Sequence, residues 1–182
     1  MTEKPDWQLP AKTPDEYHIC EMTRGREFLI RMMSGADPVR AIEKFAADHN
    51  IRFGKVHATF MGAFKPAKYY VWAPDTANPG NWHHEEVAVN HNLSMLLAVG
   101  GMIGVRPKQG GGEEPFVAMH FVSGGAWDTG VFGGHIVEGT TIVGCMQVFI
   151  TEILDVDVLA PVDEYGEAYT YPENWYRNTK QG

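Results

Sequence analysis

Two histidines bracket a glycine-rich stretch, HFVSGGAWDTGVFGGH, whose ends are His120 and His135, and Glu138 follows three residues on. Neutral imidazoles are the commonest ligands of zinc, which in catalytic sites keeps a position open for water or substrate. A hairpin would bring such a pair together. If SGGAWDTG makes the turn, Phe121–Ser123 pair with roughly Gly130–Phe132, and His135 falls level with Met119 or Ala118, close to His120. Side chains alternate along a strand, so Ala118, His120 and Val122 share one face. Paired glycines beside His135 would let backbones approach and leave room beside the ring. Glu138 is then the candidate for proton transfer, or a group that orients a ligand. The other reading makes both histidines ordinary polar residues on paired strands.

His57 interrupts the apolar run VHATF and is the candidate third ligand, against a role as a hydrogen-bonded core residue. His83 and His84 are adjacent, so at most one of them faces any given site. His91 opens an apolar stretch. His49 ends a predicted helix, where the dipole favours a cationic ring and gives it a structural role.

The elements that must position these residues are legible in outline. EFLIRMM (27–33) reads as a strand. Asp37 caps a helix with Pro38 at its first position, Val39, Ile42, Phe45 and Ala46 form its apolar face, and Asn50 stops it. Strands are predicted over 55–63, 68–73, 91–99 with Gly100-Gly101 as the end, 116–122, 131–132 and 140–153, from their β-branched and aromatic content. PDTANPGN and RPKQGGGEEP read as loops. Residues 1–23 form an irregular lead-in and 155–182 an aromatic-rich arm. No repeat or linker divides the chain, so one mixed α/β domain with strands dominating is expected.

The chain has 182 residues, enough for one domain with its own core, and a net charge of −8. Such a charge disfavours general binding to phosphate backbones. No apolar run is long enough for a membrane span, and the N-terminal residues have no apolar signal-peptide core. Two cysteines, Cys20 and Cys145, fit neither a disulfide framework nor a zinc motif. A cytoplasmic protein is the expectation.

The segments FLIRMMSGADPVRAIEKFAADHNIRFGKV, FMGAF, LLAVGGMI, PFVAMHFV and VFGGHIVEGTTIVGCMQVFITEI follow one another as in the plants-and-prokaryotes-conserved (PPC) domain family, which the chain resembles over roughly 24–154. The resemblance implies an α/β (α+β) fold: a single compact domain with a strongly bent, mainly antiparallel sheet and one principal helix, commonly a homotrimer. It also implies a divalent metal, usually zinc, because prokaryotic members often read HxH before the hairpin and GGH after it. His120 and His135 match the second and third of those histidines. Ala118 stands where the first would be, so a ligand is missing that His57, His83, His84 or His91 would have to replace. The fold also resembles that of acetolactate decarboxylase, a zinc enzyme with three histidines. Plant relatives carry AT-hooks. Arg24-Gly25-Arg26 has the hook's core, but Glu27 follows it and a strand begins there, so it reads as a strand start.

Two functions follow. One is a metal-dependent enzyme of decarboxylase, lyase or hydratase type acting on a small carboxylate or keto acid, with His120, His135 and His57 holding the metal as a Lewis acid and Glu138 moving the proton. The other is a non-catalytic trimeric module that binds a protein partner or small effector. The partners expected are a small-molecule substrate or effector and further copies of the chain, with no direct nucleic acid and no membrane.

Overall fold

The structure, a computed structural model, describes residues 22–60, 62–74, 82–125, 130–158 and 176–178. The elements run β1 Arg24–Met33, α1 Pro38–Asp48, β2 Gly54–Phe60, β3 Ala63–Phe64, β4 Ala67–Pro74, β5 Trp82–Asn90 and β6 Ser94–Pro107. They continue with β7 Glu113–Gly125, β8 Val131–Ile136, β9 Ile142–Val143, β10 Cys145–Ile153, β11 Val156–Val158 and β12 Tyr176–Asn178. One antiparallel sheet takes the order β1-β10-β2-β6-β7-β8-β4-β5, with β3 and β9 attached beside β6. β11 and β12 pair separately. The mixed fold with a mainly antiparallel sheet and one helix is as expected.

Alternation decides which face meets the helix. Met146, Val148 and Ile150 of β10, Val56 and Ala58 of β2, and Val117, Met119 and Phe121 of β7 are buried, while Phe149, His57 and His120 between them are exposed. Helix α1 lays Val39, Ile42 and Ala46 into that core. Its start is fixed as the sequence predicts. One oxygen of Asp37 accepts from the Val39 and Arg40 amides at 3.0 and 3.3 Å, and the other accepts from Gly139 N at 2.7 Å. The N-cap thus also holds the turn that follows His135. At the other end Asn50 adopts a positive φ of 54°, and His49 stacks on Phe45 with ring centroids 4.4 Å apart.

Several boundaries differ from the sequence reading. β6 does not end at Gly100-Gly101 but runs on to Pro107. A Cβ on Gly101 would lie 2.1 Å from the Ala118 carbonyl oxygen, so that glycine permits close strand approach and makes no turn. The stretch 140–153 is two strands, broken at Gly144 with φ +82°. The predicted strand 55–63 also divides, into β2 and β3. β5 was not predicted, and the strand expected from His91 begins at Ser94 after an Asx turn in which Asn90 Oδ1 accepts from Asn92 N at 2.8 Å. Of the loop PDTANPGN, the lead-in and the aromatic arm, most lies outside the described residues.

The histidine row on the outer face of the sheet

The hairpin register is shifted by one to two residues from the sequence arithmetic, which set His135 level with Met119 or Ala118. Gly124 faces Val131, Ser123 faces Phe132, and His120 stands directly opposite His135. The register continues across the sheet. One row reads Leu29, Phe149, His57, Gly100, His120, His135, Tyr70 and Val87 on successive strands. Residues directly opposite each other share a face, and this row lies on the face away from α1. Its apolar members Leu29, Phe149 and Val87 are exposed.

The two imidazoles meet edge to face, with ring centroids 5.0 Å apart and planes at 88°. Glycines make this possible on both sides of β8. A Cβ on Gly133 would stand 2.1 Å from Phe121 O, and one on Gly134 would stand 2.4 Å from Tyr70 O. Gly100, by contrast, has open space above it, since its Cβ would meet only Val56 O at 3.9 Å. Crowding by neighbours strips part of the water from the His120 ring and lowers its pKa below the usual value. The effect is partial because the residue keeps an exposed edge. The neutral form that results is the form that ligates metal.

These donors fit a divalent ion in part. The structure brings His120 and His135 together. His57 shares their row but lies two strands from His120 and three from His135, roughly 10 and 14 Å at about 4.8 Å per strand. Zinc–imidazole bonds are about 2 Å long, so His57 and His135 do not reach one ion within the chain. Among the described residues no group of three or more His, Cys, Asp or Glu could hold a metal ion. Ala118 packs with Phe53, Met102 and Phe116 in a small apolar cluster. The side chains of His83 and His84 lie outside the described residues.

Glu138 is exposed and paired. Its Oε2 accepts from Arg40 Nε at 2.8 Å and from Nη2 at 2.8 Å, tying the turn after β8 to the helix. Beside it a cleft of about 530 Å³ opens where β8 leaves β7, lined by Glu43, Lys68, Tyr70, Arg106, His135 and Glu138 among valines. Glu43 accepts from Val117 N at 3.3 Å and lies 4.0 Å from Arg106, and burial raises its pKa. The sequence reading missed Glu43. Its one signal was a carboxylate four residues after Val39, on the edge of the helix's apolar stripe.

No curated protein matches the sequence. Among solved structures the chain is similar to a PPC protein from Pyrococcus horikoshii, with 21% identity, 85% of this chain and 97% of that one covered, and a TM-score of 0.66. A metal-containing protein from Archaeoglobus fulgidus matches at 21% identity, 85% and 99% coverage and TM-score 0.65. A protein from Bacteroides thetaiotaomicron, provisionally described as DNA-binding, matches at 13% identity, 84% and 99% coverage and TM-score 0.59. At these identities the likeness is one of fold. The last match corrects the partner expectation, which named a small-molecule substrate or effector and a homotrimer and no direct nucleic acid. The physical weakness of that expectation was its reliance on net charge. More than half of the negative excess lies before residue 22 or after 158, and a whole-chain sum says nothing of one face. Among the described residues no helix is long and apolar enough to cross a membrane. The model of the Plants and Prokaryotes Conserved (PCC) domain matches residues 20–154, most of the chain, and the protein belongs to that family.

Proposed function

We propose that the protein is a metal-dependent enzyme of lyase type, with His120 and His135 as two ligands of a divalent ion, zinc in the first instance. The observation that carries this reading is the pair itself: two outward imidazoles in direct register, 5.0 Å apart, with glycines holding the strands close. When bound, such an ion polarises a carbonyl or carboxylate oxygen as a Lewis acid. The chain's own part is to present the two rings, keep them edge to face, and leave the remaining coordination positions to water and to the oxygen of a carboxylate or keto-acid group. A strongly bent sheet belongs to the same reading. It is supported by the cleft, whose lining combines Val117 from the core side with Val87 and Val89 from the exposed side. The test is the metal content of the purified protein and of His120→Ala/His135→Ala. Near-stoichiometric zinc that the double variant lacks is expected. A metal-free wild type whose melting ignores both added zinc and chelator sinks the reading.

A second reading, a non-catalytic binding module, is favoured by the exposed apolar residues on the sheet face that carries the pair, Val122 and Leu97 near it and Phe149, Leu29 and Met33 farther along the sheet. The Bacteroides thetaiotaomicron protein makes DNA the first ligand to try. Titration of labelled duplex at two salt concentrations decides it, since phosphate contacts weaken steeply with salt.

A further inference from the structure

We propose that the cleft beside His135 is a carboxylate-binding pocket, with Lys68 as the counter-ion and Glu43 as the hydrogen-bonding group at its floor. The argument begins with how Lys68 is held. Its backbone is fixed three times: the amide donates to Thr140 Oγ1 at 3.0 Å, and the carbonyl accepts from Thr140 Oγ1 at 2.9 Å and from Val137 N at 3.1 Å. Its side chain lies along the turn at Gly139, whose φ is +91°. A Cβ there would stand 2.5 Å from Nζ and 2.9 Å from Cδ, so the turn's glycine makes room for the ammonium.

The other charges around the cleft are matched. Arg40 is taken by Glu138 and Arg106 by Glu114 at 2.9 Å, with Glu43 at 4.0 Å. Among the described residues the Lys68 ammonium makes no ion pair. A lone cation on a wall of Val87, Val89, Val137 and Ile136 calls for an anion. One counter-ion and two nearby carboxylates suit a monoanion and repel the dianion of a phosphate monoester. Glu43 then meets the polar remainder of the bound group, because only its Oε1 is engaged by Val117 N. His135 lines the same cleft and sets this group beside the imidazole pair. The inference rests on the metal reading only for what the bound group then undergoes, because binding to Lys68 needs no ion. It also replaces Glu138 by Glu43 as the carboxylate that faces the ligand, since Glu138 is committed to Arg40.

The carboxylate could belong to a free acid or to a peptide C-terminus, and calorimetric titration of the full chain after chelator treatment separates the two. The probes are 2-oxobutanoate, butanoate, and a tetrapeptide with a free or an amidated C-terminus. At least one acid should bind, and Lys68→Met should weaken it at least about tenfold, the loss expected for one charge-assisted hydrogen bond. Lys55→Met, a lysine on the sheet's outer face away from the cleft, should bind as wild type does. Should Lys68→Met fail to fold, Lys68→Gln takes its place. Absence of binding by every acid, equal binding by Lys68→Met, or an amidated peptide as good as the free acid overturns the proposal. His120→Ala/His135→Ala that has lost zinc yet binds the acid supports the pocket. Acid binding to a wild type that takes up no zinc also supports it, while the metal reading fails.

Discussion

Gly133→Ala and Gly100→Ala place the same methyl group on the same face of β8 and β6, the two strands that flank β7, and should differ sharply. At Gly100 the new Cβ meets only Val56 O at 3.9 Å. Nothing must move, and replacing a strand glycine by alanine recovers roughly 0.5–1 kcal/mol of unfolded-chain entropy. At Gly133 the Cβ would lie 2.1 Å from Phe121 O and 3.2 Å from Val122 Cα. Both are backbone atoms, so no side chain can swing aside. Relief to an ordinary contact of about 3.4 Å needs a shift of more than about 1 Å between β7 and β8. Overpacking of this kind costs about 1–3 kcal/mol, and each ladder bond bent away adds about 1 kcal/mol. Against the same entropic gain, Gly133→Ala should lose about 2 kcal/mol while Gly100→Ala gains up to about 1. For a chain of this length a gap of about 3 kcal/mol separates the melting temperatures by roughly 6–12 °C. The shift falls between Phe121, the residue after His120, and the strand that carries His135, so zinc uptake should fall with stability in Gly133→Ala and hold in Gly100→Ala. Urea and thermal unfolding followed by circular dichroism read the first difference and metal analysis the second. Two variants within about 0.5 kcal/mol of each other would refute the claim that glycine at 133 sets the spacing of the pair.

Ala118→His places an imidazole two residues before His120 on the same face, diagonal to His135, and should tighten zinc binding at least about tenfold in competition with a chromogenic chelator. Glu43 carries a raised pKa because burial disfavours its charge, so its contribution to stability falls as pH rises from about 4.3 through its folded value. Glu43→Gln should abolish that slope in urea midpoints measured across pH 4–8, and an unchanged slope counts against a buried carboxylate here. Glu152 behaves oppositely. Hydrogen bonds from Arg26 at 2.7 Å hold its pKa down, so its stabilisation is complete above about 4.3 and disappears as pH falls through the folded value. Glu152→Gln should therefore flatten the acid limb of the stability profile, and a limb as steep as wild type would mean that other carboxylates control it.

The helix was legible because its signals are local. Asp37, Pro38, the Val39–Ile42–Ala46 stripe and Asn50 each act within a turn or two of themselves, and the structure uses all of them. The facing of His120 was legible for the same reason, since alternation along one strand needs no knowledge of its partner. The cleft was not legible. Glu43 comes from α1, Lys68 from β4, Arg106 from β6 and Glu138 from the turn after β8, and only tertiary pairing makes them neighbours. β5 was missed because WHHEEVAVN is polar through its first half and shows alternation only at its end.

Glycine was the residue type that a single sequence left most ambiguous, and the site depends on it. Gly144 makes a break, with φ +82°. Gly101, Gly133 and Gly134 lie in strands where neighbouring backbone fills the place of a side chain. Gly100 lies in a strand with empty space above it, between His57 and His120. In sequence the pairs Gly100-Gly101 and Gly133-Gly134 look alike, and a strand-end reading of the first pair followed naturally from turn statistics. What separates them is which strand runs alongside, a long-range fact set by the β6–β7 and β7–β8 registers. The histidine pair is therefore a product of strand spacing as much as of imidazole chemistry: β8 can stand close to β7 only because position 133 has no side chain, and close to β4 only because position 134 has none.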